Sequence, residues 1–74
     1  MWHSSARDWP EERLPVACWE RDTLYVAMRI AAVWYECTPY GDPHLSGGQP
    51  YLREPEKWAH LPARLVRLVR ATTE

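Results

Sequence analysis

Cys18, Cys37, His3, His44 and His60 are the side chains of this sequence able to bind a metal or act as nucleophile and base. A zinc centre legible in sequence needs ligands paired as C-x2–4-C or H-x3–5-H, so that one short turn brings two of them to the ion. No two of these residues stand at that spacing, so no metal is expected. The cysteines are expected to pack in the core and the histidines to sit at its edge. Cys18 and Cys37 make one possible pair. A reducing compartment favours two buried thiols over a bridge, and the sequence leaves the choice open.

Catalytic chemistry has as little to rest on. Cys37 and His44 can be written as a nucleophile and its base, but no nucleophile motif or spaced carboxylate pair accompanies them. Gly47-Gly48 is followed by no helix and no Lys/Ser/Thr signature, so it is not a phosphate cradle. A chain of 74 residues also struggles to enclose a pocket of several hundred Å³. The expectation is a protein that is not an enzyme and uses no cofactor.

Recognition has better candidates. Residues 38–57 hold Pro39, Pro43, Pro50 and Pro55 with Gly41, Gly47 and Gly48, a long loop by the standards of small domains. Its Tyr40, Asp42, His44 and Tyr51 are the exposed side chains expected to meet a partner. Downstream, Arg64, Arg67 and Arg70 share one side of a segment whose other side carries Leu61, Leu65, Val66, Leu68 and Val69. Three arginines on one face suit phosphates or, by bidentate pairing, carboxylates. They equally suit a solvated face opposite a core.

The elements that must position these residues read as follows. Residues 1–15 form an extended arm, since Trp9-Pro10 and Leu14-Pro15 disfavour helix before each proline. Val16-Ala17-Cys18-Trp19 is a short apolar strand ended by the polar Glu20-Arg21-Asp22. Residues 23–37 read either as a hairpin or as one helix. Alternation of Leu24, Val26, Met28 and Ile30 and enrichment in Val, Ile, Trp and Tyr favour the hairpin. Against it, Ala31-Ala32 has none of the residues a tight turn prefers. Asp22 could cap the helix, but nearly all its sides would then need burial. Residues 62–71 read as an amphipathic helix opened by Pro62. The expected fold is α+β: a small antiparallel sheet of about three strands with a C-terminal helix, in a single domain spanning 1–74.

Composition bounds the rest. Nine Lys plus Arg against ten Asp plus Glu leave a net charge of −1, which excludes a uniformly basic nucleic-acid or membrane binder. At 46% hydrophobic, the chain is too apolar for intrinsic disorder. Five tryptophans are a heavy investment for a small core: Trp19, Trp34 and Trp58 are expected to form it, Trp2 and Trp9 lie in the arm where they could staple it down, and core is the expected role for all but Trp2, which would suit a partner. No stretch approaches the ~20 apolar residues of a membrane span. The start Met1-Trp2-His3-Ser4-Ser5 lacks the basic-then-apolar pattern of a secretory signal, so a cytoplasmic location in a host cell is expected.

The order of features is also similar to a known pattern. Arg13-Leu14-Pro15, a strand ending in Trp19, Tyr25-Val26-Ala27, Trp34, Gly41 and the closing Trp58-Ala59-His60-Leu61-Pro62 resemble a small phage and prophage family of unknown function. The resemblance spans roughly residues 9–62. It departs from the family in the length of the 38–57 loop and in the basic segment continuing past Pro62. It implies a small antiparallel sheet with a Trp-lined core and transfers no catalytic residue. With the size of the chain, it leads to a non-enzymatic, anti-CRISPR-like phage protein that inhibits a host defence complex by covering a functional surface. The partner would be a host protein or ribonucleoprotein. The alternative is a nucleic-acid-binding regulator using the three arginines. A homodimer would let so small a chain complete its core in trans.

Overall fold

The computed structural model describes residues 1–62 of the chain. Eight strands follow in order: β1 (His3–Ser4), β2 (Val16–Glu20), β3 (Thr23–Ile30), β4 (Val33–Glu36), β5 (Leu45–Ser46), β6 (Gln49–Pro50), β7 (Leu52–Arg53) and β8 (Lys57–His60). Six of them form one sheet in the order β1-β8-β2-β3-β4-β7, and β5 pairs with β6 in a separate ribbon. Every pairing is antiparallel.

The described chain is therefore all-β, and the α+β expectation is wrong for it. Two things misled the reading. The strands after residue 44 are two to four residues long, too short for alternation to show. Moreover, Lys57–His60 pairs with β2, a neighbour forty residues away in sequence that no local pattern announces. As for the helix expected over 62–71, Pro62 is coil and the remainder, with Arg64, Arg67 and Arg70, lies outside the described residues.

The ambiguous stretch 23–37 is a hairpin, β3 to β4, with Ile30 opposite Val33. Its turn residues Ala31 and Ala32 both have positive φ, 51° and 69°. Two left-handed residues make the turn whose twist matches paired strands, a geometry that Asn-Gly adopts most readily. Alanines there cost about 1–2 kcal/mol each. The arm offsets part of that cost: Ala31 N–H donates to Glu12 Oε1 at 2.8 Å, and Arg13 N–H donates to the Arg29 carbonyl at 3.1 Å. Arg21 and Asp22, also at positive φ, close the β2–β3 hairpin in the same way.

Register assigns the faces, because directly paired residues project to the same side. One face collects His3, Trp58, His60, Val16, Cys18, Tyr25, Ala27, Arg29, Trp34, Glu36 and Arg53 through their pairings. Val16, Cys18, Ala27, Trp34 and Trp58 are its buried centre, with Leu14 and Tyr25 packed against them. The arm crosses this face. Trp58 Nε1–H donates to the Asp8 carbonyl at 2.8 Å, and the Arg29 guanidinium sits 4.7 Å from the Trp9 ring centre.

The opposite face carries Ala17, Trp19, Leu24, Val26, Met28, Ile30, Val33, Tyr35 and Leu52. Trp19 is thus only half-buried and lies outside the core cluster, a correction to its expected role. Trp9, also expected in the core, is 56% exposed and lies outside it; its Nε1–H donates to the Ser5 carbonyl and ties the arm to itself.

Candidate functional site

The segment 38–57, expected as a loop, is stitched back onto the sheet. Thr38 N–H donates to the Asp42 carbonyl at 2.9 Å, and Gly41 N–H to the Thr38 carbonyl at 2.9 Å, closing a turn in which Gly41 has φ 92°. Thr38 Oγ1 accepts from the N–H groups of Tyr40 and Asp42, both at 3.2 Å. Gly47 and Gly48, at φ 61° and 82°, turn β5 into β6. Three backbone bonds then close a ring: His44 N–H to the Glu36 carbonyl, Tyr51 N–H to the His44 carbonyl, and Glu36 N–H to the Tyr51 carbonyl, at 2.9, 3.0 and 2.9 Å. Two of the four expected recognition residues, His44 and Tyr51, thereby meet at the outer strands β4 and β7. Tyr40 and Asp42 stay in the preceding turn, and among the described residues no side-chain hydrogen bond joins them to the pair.

At the centre of the group is Glu36, which local sequence did not single out. Its Oε1 accepts from Arg53, at 3.0 Å from Nε and 2.9 Å from Nη2, and its Oε2 lies 2.9 Å from His44 Nδ1. The Arg53 guanidinium is 4.8 Å from the Tyr25 ring centre and 4.7 Å from that of Tyr51. Tyr25 O–H donates to Glu20 Oε1 at 2.9 Å, and the same oxygen accepts from the Glu54 N–H at 3.1 Å. The result is a connected set: His44, Glu36, Arg53 between two tyrosines, and Glu20. Alternation along β4 places Glu36 on the face of Trp34. That signal was in the sequence; the arrival of Arg53 beside it was not.

The electrostatics follow from these contacts. Burial pushes the Glu36 carboxyl up, but hydrogen bonds from His44 and Arg53 outweigh it and hold the group below its usual value. For Arg53 the order is parallel: burial opposes its charge, and Glu36 more than restores it. Burial and then donation to Glu20 keep the Tyr25 phenol protonated far above its ordinary range. The ionised Glu36 is engaged by two partners, His44 and Arg53. What the cluster offers is a fixed surface, with Tyr51 43% exposed and the His44 side chain 48% exposed beside a clamped arginine.

The Cys37–His44 arrangement does not form. Cys37 pairs across from Val26 and projects to the face opposite Glu36, where it is 1% exposed, while the His44 ring is turned to Glu36. Burial, then the charges of Glu36 and Asp42, push its thiol to about 11. Burial, with Cys37 adding to it, pushes Cys18 to about 12. Both are free thiols. They stand on opposite faces with β3 between them, two strand spacings or roughly 9–10 Å apart, beyond the reach of a disulfide.

The remaining histidines gather at the other end of the core face. His3 stacks on Trp58 with ring centres 4.4 Å apart, and His60 meets the edge of Trp58 at 5.1 Å. His3 Nδ1 lies 2.9 Å from Asp8 Oδ2. Among the described residues no group of three or more His, Cys, Asp or Glu side chains could hold a metal ion, and no helix is long and apolar enough to cross a membrane. Compared with known families, curated proteins and solved structures, the chain matches none of them.

Proposed function

We propose that this is a small phage-type binding protein that inhibits a host defence complex, anti-CRISPR-like, by covering a functional surface and without chemistry of its own. The observation that carries the reading is the Arg53 clamp. Tyr51 is held at the surface by its backbone bond to His44 and by stacking on an arginine that Glu36 immobilises. Tyrosine and arginine dominate the energetics of protein interfaces, and side chains ordered in advance lose little entropy on binding. Glu36 stays ionised and engaged by Arg53 and His44, and the thiols elsewhere in the sheet are buried and held protonated, which supports binding over catalysis. The resemblance to a phage family supports the setting: the cytoplasm of a host cell, with a host protein or ribonucleoprotein as partner.

The test is plating of a phage targeted by a defence system, on hosts that express this protein. Wild type is expected to raise plating efficiency and to co-purify stoichiometrically with the defence complex, and Tyr51→Ala with His44→Ala is expected to lose both. Failure of the wild type against a panel of defence systems overturns the reading. Salt-sensitive binding to DNA that is abolished when Arg64, Arg67 and Arg70 become Glu would establish the nucleic-acid regulator in its place.

A further inference from the structure

The β5–β6 ribbon stands off the main sheet. Its strands pair only with each other, and among the described residues no backbone hydrogen bond joins residues 45–50 to another part of the chain. All six residues are exposed, and a Cβ added at Gly47 or Gly48 would meet no atom within 4 Å beyond its chain neighbours. The base, by contrast, is fixed. The three backbone bonds among Glu36, His44 and Tyr51, with the Glu36–His44 side-chain contact, anchor both ends of the ribbon to β4. The ribbon is a finger, held at its base and free on its flanks. Direct pairing puts Leu45 and Pro50 on one flank and Ser46 and Gln49 on the other. Leu45 is 64% exposed. Residues 45–52 carry no charge, in a chain that is 26% charged. One flank is therefore apolar, the other offers neutral donors and acceptors, and the tip is two glycines without side chains.

We propose that this finger is the element that enters the partner, and that its receptor is a protein cleft with one apolar wall and one neutral hydrogen-bonding wall. The proposal rests on the inhibitory reading above and names the part of the surface that makes the contact. Shape selects a cleft. Pressed end-on against a flat surface, the finger offers only the Gly47–Gly48 backbone, which buries almost no apolar area. Its contacts lie on the two flanks, and both are used together only where walls rise on either side. The slot is narrow: a ribbon with its side chains is roughly 10 Å thick, and three residues per arm reach about 10 Å deep. Charge selects a protein. A nucleic-acid groove is lined by phosphates, and a finger with no cation has nothing to neutralise them. An uncharged finger also takes no ion out of water as it enters the slot. The clamp at the base adds to this, since strands held in register before binding lose little entropy on entry.

The test is calorimetric titration of the full chain into the defence complex that the plating assay identifies. Leu45→Asp and the near-isosteric Gln49→Glu each place a carboxylate on one flank. Each is expected to weaken binding about tenfold or more, with the circular dichroism spectrum unchanged because both sites are exposed. Leu24→Asp, at the same 64% exposure on the main sheet, is expected to bind as wild type does. Affinity is expected to change less than about threefold between about 50 and 200 mM salt. Binding that neither flank variant weakens overturns the finger and leaves the inhibitory reading in place. So does an equal loss in Leu24→Asp, since the contact is then not confined to the finger. Binding that either flank variant tightens, or that falls steeply with salt, reveals a charged receptor and overturns the neutral walls. A wild type that inhibits no defence system removes the inhibitory reading, and the role of the finger with it.

Discussion

The backbone N–H of Ala31 donates to the Glu12 carboxylate at 2.8 Å, joining the arm to a hairpin turn nineteen residues away in the chain. This bond falls on the turn whose sequence argues against it, since Ala31 and Ala32 both occupy left-handed backbone. Glu12→Ala is expected to destabilise the protein by about 1 kcal/mol, the ordinary net value of one such hydrogen bond. Ala31→Asn with Ala32→Gly is expected to stabilise it by about 1 kcal/mol or more by relieving the backbone. Urea titration of both variants checks the pair of signs. A destabilised Asn-Gly variant would mean that the alanine methyl groups contribute packing that the left-handed cost conceals.

Glu36 makes stability sensitive to acid. Its carboxyl titrates below the ordinary 4.5 in the folded state, so the folded chain binds fewer protons than the unfolded one as pH falls. The contribution is complete above that ordinary value and is lost as pH drops through the lowered one. Glu36→Gln is expected to cost about 1–3 kcal/mol at neutral pH, as charge-assisted bonds to Arg53 and His44 are weakened. It is also expected to flatten the acid limb of a plot of melting temperature against pH. An unchanged acid limb would exclude Glu36 as its source.

Neither thiol is expected to react readily in the native protein at neutral pH. Cys18 and Cys37 are 0% and 1% exposed, and burial holds them at about 12 and about 11. A thiol reagent should label both at once in denaturant and neither quickly without it, and oxidation of the folded protein should form no intramolecular bridge. Fast native labelling of Cys37 would show the 38–50 segment opening away from the sheet.

Trp58 joins three parts of the molecule, being 3% exposed, stacked under His3 and bonded to the Asp8 carbonyl. Trp58→Phe keeps most of the apolar volume and removes the N–H donor. It is expected to cost about 1–3 kcal/mol and to raise amide exchange selectively in residues 3–9. Trp58→Ala is expected to cost about 3–5 kcal/mol and to abolish folding of so small a chain. Uniform loosening in the Phe variant would deny the Asp8 contact its role in holding the arm.

The residues themselves determined the parts of this protein that depend on near neighbours. Alternation and β-branching in 24–30 favoured a strand over a helix there without deciding it, and Val16–Trp19 read as the strand that became β2, because a period of two is visible in a few residues. Tertiary structure decided the rest. It folded the Pro- and Gly-rich 38–57 segment into three short strands and the start of a fourth, through backbone bonds to Glu36 that composition does not encode. It set Glu36, His44, Tyr51 and Arg53 together from three places in the chain, and it turned Cys37 away from His44 because neighbouring residues of an extended chain face opposite sides. It also placed Trp19 on the outer face, since the apolar character of a strand residue does not say which side of the sheet will be covered. Contacts between distant segments depend on which strands pair and in what register, and that choice belongs to the folded chain as a whole.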